Sequence, residues 1–217
     1  MKNALSPKAA AALVQHGDTL LIGGFMGVGS PHRIIDALVE RKVDDLTVIA
    51  NDTARPGFGV GKLITARLIA RLITSHIGLN PETQQQMIRG ETAVELSPQG
   101  TLVERIRAGG TGLGGVLTRT GLGTPVEDDK TVLEIDGVDY LFEKPLRGDL
   151  AIISANEADY VGNLNYSLTA HNFNSIMALA ADVVVAEAQT IVPVGVIPPD
   201  AVKTPGVLVN HILERAA

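Results

Sequence analysis

Four times between Thr19 and Arg107 the chain runs a short apolar stretch into a loop and then into a segment of helical periodicity. The apolar stretches are residues 19–22, 46–50, 72–75 and 92–96. The helical segments begin at Pro31, where Ile34, Ile35, Leu38 and Val39 share a face, and span 62–68, 80–90 and 102–107. Such alternation with short connections predicts an α/β fold: an open, mostly parallel sheet with helices on both faces. Composition agrees. Hydrophobic residues make up 45% of 217 but aromatics only 3%, so Ala, Val, Ile and Leu must fill a sheet buried on both sides. That length suits a single domain over 1–217. A further helix follows Ser6-Pro7, and Asn80-Pro81-Glu82 is a second helix start with a capping side chain and a proline in the first turn.

The first of the four junctions is the most informative. Thr19-Leu20-Leu21-Ile22 leads into Gly23-Gly24-Phe25-Met26-Gly27-Val28-Gly29, then Ser30-Pro31. The spacing predicts Ser30 as a helix cap and Pro31 at the first helical position, where no N–H is needed. Free amides at that helix start would attract an anion. On shape alone, a structural turn and a ligand loop both stand. Known nucleotide signatures fail: no lysine follows Gly29, and Gly27-Val28-Gly29 lacks a third glycine in register. Asn51-Asp52-Thr53 ends the second strand, at the edge where polar residues of such sheets gather around ligands.

Residues 23–31 also resemble the Gly-Gly-Phe-x-x-x-Gly-x-Pro signature of the family I coenzyme A transferases, in the α-subunit form of the acetate and 3-oxoacid enzymes. Pro98-Gln99-Gly100-Thr101-Leu102 is a second match, and Asp159-Tyr160-Val161-Gly162-Asn163-Leu164 a third. Residues 108–124, read here as a folded glycine-rich loop, carry Thr118-Arg119-Thr120-Gly121 where the family usually has Thr-Pro-Thr-Gly. The resemblance implies that Gly23, Gly24, Phe25, Met26, Gly27, Val28 and Gly29 lie beside the coenzyme. It implies that Gln99 faces the thioester, as an uncharged donor to an oxyanion. It also implies transfer of CoA between an acyl-CoA and a short-chain carboxylate through a glutamyl–CoA thioester, with no metal and no permanently bound cofactor. CoA arrives as part of the substrate. The family's glutamate lies in a Glu-x-Gly context on a β subunit, and no Glu in this chain has a glycine two places on. The expectation is therefore an α chain that is active only with its β partner, as α2β2.

Other classes are less well served. A net charge of −6 with no basic block argues against nucleic acid. With no Cys there is no disulfide, thiolate metal site or Cys nucleophile. No apolar run reaches 18 residues and no signal-like start is present, so a cytoplasmic protein without a membrane span is expected. A sugar-phosphate isomerase or deaminase of similar architecture, and a non-enzymatic acyl-CoA sensor, remain as alternatives. The roles of His32, Arg33, Asn51, His76 and Arg119 stay open. Toward the carboxyl end the pattern predicts a hairpin over 131–142 turning at Asp136-Gly137. It further predicts strands at 150–153 and 182–187, a helix at 176–181 and a short extended piece at 207–209.

Overall fold

The computed structural model describes residues 1–213. Its strands are β1 (Asn3–Leu5), β2 (Thr19–Ile22), β3 (Leu46–Asp52), β4 (Ile69–His76), β5 (Ala93–Leu96), β6 (Val116–Thr118), β7 (Val132–Ile135), β8 (Val138–Glu143), β9 (Gly148–Asp159), β10 (Leu164–Asn165), β11 (Ala181–Val192) and β12 (His211–Leu213). The α-helices are α1 (Pro7–Ala12), α2 (His32–Arg41), α3 (Gly61–Thr65), α4 (Pro81–Ile88), α5 (Gln99–Thr111) and α6 (Asn174–Met177). The main sheet runs β1-β12-β11-β9-β2-β3-β4-β5. Each neighbouring pair along that path is parallel, and β10 adds an antiparallel pairing to β9.

The central strands β2, β3 and β9 are buried on both faces, and their period of two divides the core. Leu20, Ile22, Val48, Ala50 and Leu72 pack with Ile34, Ile35, Leu38, Leu63 and Ile64 on one side. Leu21, Ile49, Ile73, Ile153 and Val184 pack with Leu102, Ile106 and Met177 on the other. Two of the predicted caps are formed: Ser6 Oγ accepts the Ala9 amide at 3.1 Å, and Asn80 Oδ1 accepts those of Glu82 and Thr83 at 3.2 and 3.3 Å.

Several expectations need correction. The helix after Pro98 extends to Thr111, so Gly109 and Gly110 belong to its last turn rather than to a loop. They are small because Leu146 and Leu179 press on that turn: a Cβ at either glycine would fall within 2.0–2.6 Å of them. The expected hairpin gains a third strand, β6, to give a separate antiparallel sheet ordered β6-β8-β7. Residues 206–208 form a 3-10 turn rather than an extended piece. Strands β1 and β12, three residues each, were too short to carry a periodicity.

The order of the main sheet places the site. From β2 the chain moves to β3, β4 and β5 on one side, whereas β9 is followed by β11 and β12 on the other. The switch lies between β2 and β9, and the crevice outside the carboxyl ends of such strands is where open α/β sheets hold ligands.

Candidate active site at the carboxyl edge of the sheet

The glycine loop leaves β2 at that switch. Its tip is a tight hairpin: Phe25 and Val28 exchange backbone hydrogen bonds of 2.9 and 2.8 Å. The two central residues have positive φ, Met26 at 53° and Gly27 at 82°, the requirement of a mirror-image turn. Gly27 must be glycine for a second reason, since a Cβ there would fall 2.1 Å from the Phe58 ring. Met26 has no such freedom, and its backbone is held by Asp52, whose Oδ2 accepts the Met26 amide at 2.9 Å. The glycines at 23, 24 and 27 are buried while the side chains of Phe25, Met26 and Val28 are exposed. The loop therefore shows an apolar tip to the outside. His32 braces it from below, with Nε2 3.0 Å from the Gly27 carbonyl and its ring 4.8 Å from that of Phe58.

Two asparagines that sequence reasoning did not single out for the site hold the loop from the other side. Asn172 accepts the Gly24 amide at 3.3 Å and donates to the Val28 carbonyl at 3.2 Å. Asn174, fully buried, donates to the Gly29 carbonyl at 2.9 Å and accepts the Ser154 amide of β9 at 3.0 Å. The only sequence signal was their place before a predicted helix, which names no partner 145 residues away.

The expected anion at the α2 start is present, but it belongs to the chain. Glu187 of β11 accepts the Arg33 amide at 3.0 Å and the Ile34 amide at 3.1 Å. Ser30 makes no cap bond and Pro31 stands at the boundary outside the helix, because the carboxylate from β11 takes that role. Burial pushes the Glu187 carboxyl above the usual range, against the pull of the Arg33 and Ile34 amides and the charges of Arg33 and His32.

Beside the loop lies the second group. Asn51, adjacent to Asp52, is buried at the end of β3. Its Oδ1 accepts Ser75 Oγ at 3.0 Å and Gln99 Nε2 at 2.9 Å. Gln99 opens α5, is exposed, and keeps a second amide hydrogen for an incoming group. The consecutive residues Asn51 and Asp52 thus join Gln99 to the loop tip. This edge can present neutral donors and close backbone to a carbonyl oxygen.

Of the remaining candidates, His76 stands at the same carboxyl edge, exposed at the end of β4 and in register with Asp52 of β3, whereas Arg119 is exposed in the turn after β6. The Asp159–Asn163 stretch is a turn lock: Asp159 accepts the amides of Val161 and Asn163, while Asn163 Oδ1 accepts that of Gly206 at 2.8 Å. Among the described residues no group of three or more His, Asp or Glu is placed to hold a metal ion, and no helix is long and apolar enough to cross a membrane.

Comparison with known proteins bears on this site. The profile of the coenzyme A transferase family matches residues 4–215. Acetate CoA-transferase subunit alpha of Escherichia coli K12 is 51% identical over 204 residues, covering 94% of this chain and 93% of that one. The acetoacetyl-CoA:acetate/butyrate CoA transferase alpha subunit of Clostridium acetobutylicum is 49% identical over 201 residues, covering 93% and 92%. Among solved structures, the acyl-CoA transferase YdiF of E. coli O157:H7, in a thioester complex with CoA, superposes with a TM-score of 0.87 at 22% identity. The match covers 98% of this chain and 47% of that longer one. Glutaconate coenzyme A-transferase of Acidaminococcus fermentans gives a TM-score of 0.83 at 18% identity, covering 98% and 75%. At these identities the superpositions speak to the fold alone.

Proposed function

This chain belongs to the coenzyme A transferase family, and from that premise we propose that it is the α half of a short-chain acyl-CoA:carboxylate CoA-transferase. The observation that carries the reading is end-to-end similarity, at 51% and 49% identity, to two proteins named as transferase alpha subunits. The same similarity supports a transferase over a sugar-phosphate isomerase or an acyl-CoA sensor.

In this reading the attacking glutamate is on a β subunit, since no Glu here has the Glu-x-Gly context. Its carboxylate attacks the thioester carbonyl carbon, the C–S bond breaks, and CoA leaves as thiolate, giving an acyl–glutamyl anhydride. The thiolate then attacks the glutamyl carbonyl and releases the first carboxylate, so the thioester is kept as glutamyl–CoA. An acceptor carboxylate reverses the two steps. The α chain contributes the apolar tip of Phe25, Met26 and Val28 beside the substrate and close backbone at Gly23, Gly24, Gly27 and Gly29. Gln99, oriented by Asn51, donates to the oxyanion. The assembly is α2β2, with residues 1–217 as one domain, working in the cytoplasm on acetate, butyrate or acetoacetate.

The test is co-expression with a β chain and assay of CoA exchange between acetyl-CoA and these acids. Turnover should need both chains, and the covalent CoA adduct, mapped by mass spectrometry, should lie on the β chain. Robust transfer by this polypeptide alone, or an adduct on one of its own side chains, overturns the reading.

A further inference from the structure

We propose that Asn174 is a positioning residue for CoA transfer, a buried neutral clamp that sets where the glycine loop stands relative to β9; this rests on the transferase reading above. The amide of Asn174 has no exposure, and it reaches three separate pieces of backbone. Its Nδ2 donates to the carbonyls of Gly29 in the loop at 2.9 Å and Ala170 at 2.8 Å. Its Oδ1 accepts the Ser154 amide of β9 at 3.0 Å. Both amide hydrogens and one carbonyl lone pair are therefore committed. The same oxygen explains Gly23, because a Cβ on that residue would lie 1.7 Å from it. Asn172, two residues earlier and only partly buried, makes a similar pair of bonds to Gly24 and Val28.

The consequence is geometric. The loop tip carries a positive-φ methionine whose backbone would relax if its two ends were free. Asp52 holds one side of that tip, and the 168–174 segment holds the other through these amides. Neutral amide bonds inside a dry site are directional, and each fixes an orientation that a charge pair would leave loose. A substrate meeting a loop already in place does not have to order it, and loss of that order weakens binding as well as the chemical step.

The experiment compares wild type with Asn174→Asp and Asn172→Ala, each assembled with the β chain. Asn174→Asp keeps the shape but turns an oxygen toward the Gly29 or Ala170 carbonyl. Asn172→Ala removes contacts at a half-exposed position and serves if the first variant fails to fold. Amide hydrogen exchange is read over residues 23–31, with residues 46–52 of β3 as the internal reference, together with kcat and the KM for the acyl-CoA. We expect exchange over 23–31 to quicken about tenfold while 46–52 is unchanged. We also expect kcat to fall and KM to rise about tenfold. A loss of folded enzyme would lower kcat and leave KM alone. Quickened exchange across both segments, or wild-type exchange at 23–31 in both variants, overturns the clamp. If no CoA transfer is found in the wild-type assembly, the transferase reading fails, while the exchange pattern still decides whether Asn174 holds the loop.

Discussion

The glycine loop and the small antiparallel sheet are tied to the rest of the molecule by opposite means. The loop is held mainly by neutral groups, the amides of Asn172 and Asn174 and backbone bonds within its own turn, with the single carboxylate of Asp52 on the Met26 amide. The small sheet is held by charge. Arg105 of α5, buried, sits 2.6 Å from Glu95 Oε1 and 3.7 Å from Glu143 Oε2 of β8. Arg71 extends the network at 2.9 Å from Glu95, and Lys130 at 2.5 Å from Glu143. Neutral bonds fix direction and respond little to pH. Buried charges grip over a longer range, but each is costly once its partner is gone. The asparagine side of the loop is thus built from groups that stay put as protons and salt vary, while Asp52 on the Met26 amide is the charged exception, and the ionic network joins α5 to the sheet behind it.

The largest expected effect comes from breaking the charged side. Arg105→Ala leaves Glu143, whose side chain is 2% exposed, with Lys130 alone. Urea denaturation should show a loss of about 3–5 kcal/mol, and a loss below about 1 kcal/mol would mean that charge is not what holds this sheet. Next comes a change that touches chemistry without touching the fold. Gln99→Ala in the assembly with the β chain should lower kcat by about 10²–10³, or about 2.7–4 kcal/mol in the barrier. Its stability should stay within about 0.5 kcal/mol, because Gln99 is exposed and makes one side-chain bond. Undiminished kcat in this variant would remove Gln99 from the reaction. Third, Gly23→Ala drives a methyl into Asn174 Oδ1 and should cost about 1–3 kcal/mol, with a matching loss of transfer activity. A neutral result there would show that the loop can shift away from its clamp.

The smallest effect concerns acid. Burial pushes the Glu95 carboxyl up, but the bonds and charges of Arg105 and then Arg71 outweigh it, so its pKa lies below the ordinary 4.5. The folded value is lower than the unfolded one. The stabilisation is therefore present above the ordinary carboxyl range and is lost as pH falls through the folded value. Glu95→Gln should flatten the acid limb of the stability–pH curve. Equal slopes in the two proteins would contradict the network.

Much of this could be read from the chain before any coordinates. The strand pattern at 19–22, 46–50 and 72–75 appears as β2, β3 and β4 because a run buried on both faces needs only apolar residues of the right length. Ser6 and Asn80 act as caps because capping is local, reaching two or three residues along the chain. Ser30 does not, although it has the right side chain in the right place. A carboxylate 154 residues away reaches the same amides first, and no window of sequence contains that competition. Glycines 109 and 110 misled for a similar reason: they look like loop residues, yet they are helical because another segment presses on that turn.

By itself the sequence determined the sheet, the glycine turn and the family, since each rests on residues near one another in the chain or on an ordered set of motifs. Only the tertiary structure decided which strand lies beside β2, that Asn51 orients Gln99, that Glu187 fills the end of α2 and that Asn174 grips the loop. These are contacts between segments from about 50 to about 150 residues apart, chosen by the packing of the whole sheet, and hydrogen bonds at that range leave no periodicity to read.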